Sequence, residues 1–368
     1  MQTSIAKSTP VSVIPLKRIT MDDLDYLAAR IHARRSRIAE AERLDGLCRI
    51  RSLEEFFRII FPESHMKGIV DFQRQLMNEL INELFTVRAC LTGPGADILD
   101  WMLVRFQAEN VKVMIRAYLT KTPLEEIQDY LIPLPIEFSL NAQDLANAES
   151  FEDFVRFVPM KLLRESLEKT LEIYRENPQP FFFEGALDCA YCKGLIERAE
   201  HLFGEDRTCI RPMVYQEADI FNIMLVARGK FYYGLSPKEL QLFYVPGTRI
   251  SHAQFLAMMS DTDLLTSIYR VSDRVLDVDL SQFGLKEGLI DDGASVIERL
   301  AWNRFFRLSN LTFRKSHMGL AAIIGYMGLR RIEATNLIRI SEGIRMEMPS
   351  EAIRGYMIPW TGREGKHV

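Results

Sequence analysis

The sequence predicts an all-α protein in which one helical module is written three times. Three observations carry this. Gln107-Ala108-Glu109-Asn110-Val111-Lys112, Asp219-Ile220-Phe221-Asn222-Ile223-Met224 and Glu333-Ala334-Thr335-Asn336-Leu337-Ile338 stand in one register, with their Asn residues 112 and 114 residues apart. Six residues past each Asn come Arg116, Arg228 and Glu342, each followed by a small residue. Self-similarity at a fixed period marks a chain built from copies of one unit. Amphipathic helical periodicity runs through the chain, and alternating β-type runs are scarce.

The elements follow in order. Leu24, Leu27, Ile31, Ile38, Ala41 and Leu44 share one face while Arg30, Arg34, Arg35, Arg37 and Arg43 lie largely elsewhere, which predicts one long amphipathic first helix. Ser52, Ser150 and Ser251, followed three residues later by Glu55, Asp153 and Gln254, predict capped helix starts, the Asp copy being the weaker. Residues 164–175, 184–203 and 294–313 read as further amphipathic helices. Pro123, Pro237 and Pro349, each with Glu two places on, predict helices that open with Pro at the first position and an acid facing the positive end of the helix dipole. Breaks are marked at Gly93-Pro94-Gly95, Pro133 and Pro135, Asn177 to Pro180, Pro246-Gly247 and Gly284 to Gly288. The predicted division is a tail at 1–19, modules at 20–135, 136–248 and 249–361, and a tail at 362–368, in keeping with the size of ordinary domains.

Composition excludes several classes. A net charge of -4 gives no global attraction to nucleic acid, and acids at 40, 42, 45, 54 and 55 dilute the Arg-rich face of residues 30–51, which reads as solvated helix surface. Five scattered Cys make no secreted disulfide framework, so a reduced, cytosolic setting is expected. Residues 1–17 lack the apolar core of a targeting peptide. The longest apolar run, Met318 to Leu329, would cover only ~18 Å as a helix against a hydrocarbon core of about 30 Å, and reads as a buried helix.

Sites for chemistry are weak. Cys189-Ala190-Tyr191-Cys192 has metal or redox spacing but no second pair, with only Cys209 and His201 nearby, and reads as buried structural Cys. The six His never fall at metal-ligand spacing, and Gly362-Arg363-Glu364-Gly365-Lys366 lacks the rest of a phosphate loop. No catalytic, cofactor or metal residue is assigned. The repeat motif is the one candidate site: Gln107, Asn110, Arg116, Asp219, Asn222, Arg228, Glu333, Asn336 and Glu342. Asn in a helix is up to ~0.7 kcal/mol less favourable than Ala, so three copies need a reason. On a wheel the residue three before Asn lies about 60° away, within the apolar stripe, where polar groups need partners. Two readings stand open: a structural bond within each module, or three copies facing a shared axis and a partner there.

The thrice-repeated Asn helix followed by Pro-x-Glu, the opening Ala29-Arg30-Ile31-His32-Ala33-Arg34, and Glu184-Gly185-Ala186-Leu187-Asp188 lying 38 residues before Asn222, an offset repeated by Glu298 and Asn336, together resemble the C subunit of the archaeal and bacterial V/A-type rotary ATPases, known as the d subunit in the eukaryotic vacuolar enzyme. The resemblance runs from about residue 20 to 358. It implies a funnel of three helical modules around a pseudo-threefold axis, without catalytic activity. The implied place is peripheral, on the cytoplasmic face of the membrane. The implied partners are the central-stalk subunits and the proteolipid ring, with the stator membrane subunit as a further contact; the implied role is passing torque in ATP-coupled proton or sodium ion transport. Gln107 in place of an acid and Glu342 in place of Arg depart from threefold regularity. A helical-repeat scaffold for an unrelated soluble partner remains the alternative at this point.

Overall fold

The computed structural model describes residues 21–277, 290–316 and 319–359. The tails and the glycines at 284–288 named above lie outside them. The described residues are all helical, with no strand. In chain order the helices are α1 (Met21–Arg35), α2 (Ala41–Cys48), α3 (Leu53–Ile60), α4 (Ile69–Arg88), α5 (Gly93–Thr120), α6 (Leu124–Ile127), α7 (Ala142–Ala146), α8 (Phe151–Arg156), α9 (Lys161–Glu176), α10 (Phe181–Glu200), α11 (Gly204–Met224), α12 (Pro237–Gln241), α13 (His252–Ser260), α14 (Leu264–Tyr269), α15 (Ser272–Val275), α16 (Ile290–Lys315), α17 (Leu320–Arg345) and α18 (Ser350–Gly355).

One order recurs: three shorter helices, then two long ones, then a short helix at the Pro-x-Glu motif. The repeat Asn sits on the second long helix each time, α5, α11 and α17. The six long helices touch in a closed circuit, α4 to α5 to α10 to α11 to α16 to α17 and back to α4. α5, α10, α11 and α17 each bury more than half of their residues, as helices flanked on both sides must.

The first long helix is not continuous. α1 stops at Arg35 and α2 starts at Ala41, whose φ is 46°. The unwound segment gives up helical hydrogen bonds and uses one freed donor: the Ala39 N–H meets the Glu333 carboxylate at 2.6 Å in a buried setting. A tertiary acceptor outcompetes local periodicity there. Gly93-Pro94-Gly95 opens α5 instead of breaking the chain, with Pro at the start where a missing N–H costs nothing. Pro237 does occupy the first position of its helix, behind a full Ser236–Glu239 capping box, whereas Pro123 and Pro349 sit one place earlier as N-caps. Ser52, Ser150 and Ser251 all cap, and of the three Ser251 alone closes the reciprocal box. α11 runs on through a π-helical turn, Leu225–Lys230, where Gly229 leaves room for Leu240 and Phe181. π turns commonly accompany functional positions in helices, and Arg228 lies in this one.

The circuit closes between the ends of the chain through Glu83 of α4. Its carboxylate accepts from Arg34 Nη1 at 2.6 Å, Arg330 Nε at 3.1 Å and the Tyr326 hydroxyl at 2.6 Å. Burial alone would raise this carboxyl, but the three donors hold it below its ordinary value. The glycines of the apolar run serve the α16–α17 contact: a Cβ on Gly325 would stand 2.5 Å from the Phe313 backbone nitrogen and 2.7 Å from the Ser309 carbonyl. Gly325→Ala is therefore expected to lower stability by about 1–3 kcal/mol or more, because backbone cannot move aside as a side chain can; urea unfolding of the variant checks it.

Candidate functional site

Each repeat Asn makes the same two-way contact. Asn110 donates from Nδ2 to the Ile132 carbonyl and accepts the Ile132 N–H, both at 2.8 Å. Asn222 does so with Val245 at 2.9 and 3.0 Å, and Asn336 with Ile358 at 2.6 and 3.0 Å. Each partner immediately precedes a Pro, at 133, 246 and 359. Pro holds the residue before it extended, so that residue cannot continue a helix and its N–H and C=O face the same way for a primary amide to satisfy. The side chain thus pins the chain as it returns from the Pro-x-Glu helix. All three Asn are buried.

The residue three before Asn reaches onward along the chain in the first two copies and back to the first helices in the third. Gln107 Nε2 donates to the Phe138 carbonyl at 2.8 Å, leaving its Oε1 buried without a partner. Asp219 accepts the Ile250 N–H at 3.2 Å and Arg249 Nε at 3.1 Å. Glu333 accepts the Ala39 N–H and pairs with Arg330. Gln107 is the exception because its backbone partner offers a carbonyl where the others offer an amide. Burial of Asp219 raises its carboxyl despite the Arg249 charge beside it.

The residue six after Asn crosses to the neighbouring long helix. Arg116 pairs with Glu184 and Arg228 with Glu298, each at 2.7 Å. In the third copy the polarity inverts: Glu342 accepts from Gln73 Nε2 at 2.8 Å. The departure at 342 is matched by Gln73 standing where the other copies carry the acid.

A buried charged contact between the motif helices is absent from the sequence expectations, although its register signal is present. Five residues before the Asn stand Arg105, Glu217 and Arg331. They lie on three different helices and meet: Arg105 Nη1 and Arg331 Nη1 both donate to Glu217 Oε1, at 2.8 and 2.6 Å. Arg105 lies over Tyr191, 5.6 Å from the ring centre, and Arg331 over Trp302 at 4.8 Å. Burial would push the Glu217 carboxyl up, yet the two guanidiniums hold it below its ordinary value, and it keeps Arg105 raised against the same desolvation.

The two-cysteine motif lies apart from this chemistry. Burial raises both the Cys189 and Cys192 thiols, the reverse of what a reactive or metal-binding thiolate needs. Among the described residues no cluster of His, Cys, Asp and Glu could hold a metal ion, and no helix is long and apolar enough to cross a membrane.

The fold and these contacts define an all-helical protein whose repeated polar residues tie its long helices to one another and to the loops that follow them. The sequence model of the ATP synthase (C/AC39) subunit family matches residues 27–356, so the chain belongs to that family, whose members are non-catalytic. It is 23% identical to the C subunit of the A-type ATP synthase of Methanothermobacter thermautotrophicus over 87% of this chain and 83% of that protein. It is 23% identical to that of Haloferax volcanii, over 91% and 97%. The C subunit of the V-type ATP synthase of Deinococcus radiodurans is 22% identical, over 90% of each chain.

Two outcomes follow. Asn222→Ala should cost about 2–5 kcal/mol in denaturant unfolding, since it strands a buried N–H and a buried C=O of Val245. Glu217→Gln should cost about 3–5 kcal/mol by leaving two guanidiniums uncompensated. A carboxyl held low in the fold stabilises above its unfolded value, 4.5, and loses that contribution as pH falls through the folded value. The Gln variant should therefore show a flatter decline of Tm on acidification below about pH 5 than the parent chain.

Proposed function

We propose that this chain is the central-rotor subunit of a V/A-type ATPase or ATP synthase. In this reading it is a funnel of three modules around a pseudo-threefold axis, a socket that links the central stalk to the membrane proteolipid ring. It passes torque between them for ATP-coupled proton or sodium ion transport. It lies peripherally on the cytoplasmic face, with the stator membrane subunit as a neighbour.

The observation that supports the reading best is the cyclic hand-over of contacts. Gln107 reaches Phe138, Asp219 reaches Ile250 and Glu333 reaches Ala39, so each copy holds the beginning of the next and the last holds the first. A chain joined this way suits a ring seated on a rotation axis. The three-way meeting at Glu217 suits the axis itself. Exposure of the side chains rises along each motif helix, from 30%, 8% and 15% at Arg105, Glu217 and Arg331 to 58%, 54% and 37% at Arg116, Arg228 and Glu342. A funnel that narrows at Glu217 and opens toward the C-terminal ends of α5, α11 and α17 would have this gradient. Polar repeat positions at the mouth also suit a non-obligate contact that must separate and re-form.

Tagging the protein in its source organism, solubilising membranes gently and identifying what co-purifies tests the proposal. Recovery of the nucleotide-binding ATPase subunits, the central-stalk subunits and the proteolipid is expected. Isolation of the chain without any of them would overturn it.

A further inference from the structure

The three copies differ in how they seat the short helix that follows the motif helix. Seven residues past the Asn, about 20° from it on the helical wheel, stand Ala117, Gly229 and Gly343. Five residues before the residue that each Asn holds stand Ile127, Leu240 and Ile353. In the second and third copies the glycine lets the aliphatic side chain close onto the long helix: a Cβ on Gly229 would overlap Leu240, and one on Gly343 would stand 2.7 Å from Ile353 Cγ1. Leu240 and Ile353 are accordingly buried, 0% and 2% exposed. Ala117 carries the Cβ that those seats exclude. α6 buries none of its residues, and Ile127 stays half-buried.

What the first copy leaves is a cavity of about 490 Å³ at the C-terminal end of α5, within the ~300–1,000 Å³ of ordinary binding pockets. Met114, Ala117, Tyr118, Leu124 and Ile127 line it from α5 and α6. Gln143, Ala146 and Asn147 line it from α7, a helix without a counterpart in the second copy, where the chain passes directly from Pro246 to Ser251. Its surroundings are acidic. From Lys121 to Asp153 the chain carries eight Asp or Glu and the one Lys, whereas the corresponding run of the second copy, 234–254, carries one acid and two bases. Lys121 and Glu125 line the cavity, and Glu126 and Asp144 stand exposed on the two short helices beside it. An apolar recess ringed by charge of one sign selects an occupant of the other. The second and third copies show the shape that such a seat takes, a branched aliphatic side chain presented by a short helix.

We propose that this cavity is a docking groove for a partner protein, and that its occupant is a helical segment with Leu or Ile one turn apart, flanked by Lys or Arg. The aliphatic side chains take the place that Leu240 and Ile353 hold in their own copies, and the basic flanks lie along α6 and α7. The first module thus accepts from outside what the other two supply from within. Neither the socket nor the rotor role is needed for this groove to bind.

The probe is a synthetic Ala-based helical peptide with two Leu one turn apart and Lys on both flanks, titrated by fluorescence anisotropy against the whole chain at low and high salt. It should bind about tenfold more tightly than the same peptide with Ala for Leu or with Glu for Lys. Ala146→Leu fills the cavity from α7 without touching α5, and should weaken binding about tenfold with unaltered Tm. Ala117→Gly, which lets Ile127 close as its counterparts do, should weaken it likewise. Equal binding of the Leu and Ala peptides, or of the parent and Ala146→Leu chains, overturns the groove. So does failure of the Leu and Lys peptide to bind the parent chain. Self-association of the parent that Ala146→Leu abolishes would give the groove to a second copy and overturn the separate partner. Recovery of the rotary subunits on purification tests the socket independently of all these results.

Discussion

Three helices from three copies of the motif meet at one carboxylate, and the rest of the structure is arranged to make that meeting possible. Glu217 accepts from Arg105 and Arg331 while burying all three groups in large part. Taking such charges out of water costs several kcal/mol each, a cost that geometry must recover. Here both guanidiniums converge on a single oxygen, and Tyr191 and Trp302 supply faces on which they lie. The convergence holds only if α5, α11 and α17 keep one common register. The Asn contacts serve that end. Each fixes the loop that follows its helix, so the helix cannot slide without stranding a buried amide and carbonyl.

This constraint explains why the repeats cannot be identical. Three copies of one charged residue at the meeting point would place three like charges together, and burial would penalise every one of them. A single substitution of sign, Glu217 between two Arg, converts that repulsion into attraction. The same logic appears at the residue six after Asn, where Arg–Glu, Arg–Glu and Glu–Gln pairs join successive long helices. It appears again at Gln107, which meets a carbonyl where its counterparts meet amides. Departures from the repeat are thus paired with departures in what they touch. Most of the outer pairs are half-exposed and contribute little to stability, which leaves them free to vary.

The helices, their capped starts and the threefold spacing were legible in the sequence because they rest on local signals: periodicity, Ser three residues before an acid or amide, and Pro at helix starts. The role of the Asn was legible only as a choice between two readings, since its partner is a backbone group 22 or 23 residues away that periodicity does not encode. The break after Arg35 was not legible at all. It depends on Glu333, almost the whole chain away, offering an acceptor to Ala39. The Arg105–Glu217–Arg331 group was hidden for a different reason. Its position keeps the contact by alternating charge, so the three copies do not share one residue type there. Reading aligned repeats for complementarity as well as likeness would have found it.

A fused chain of three similar units can do what a homotrimer cannot. A trimer of identical protomers must repeat every side chain at each of its three contacts, so any charge it places near the axis appears three times. Within one chain each wall varies alone. That freedom permits a mixed-sign centre at Arg105, Glu217 and Arg331, and it permits Glu109, Lys112 and Asp188 at one contact where the corresponding positions elsewhere are Phe221, Met224 and Trp302, then Thr335, Ile338 and Met77.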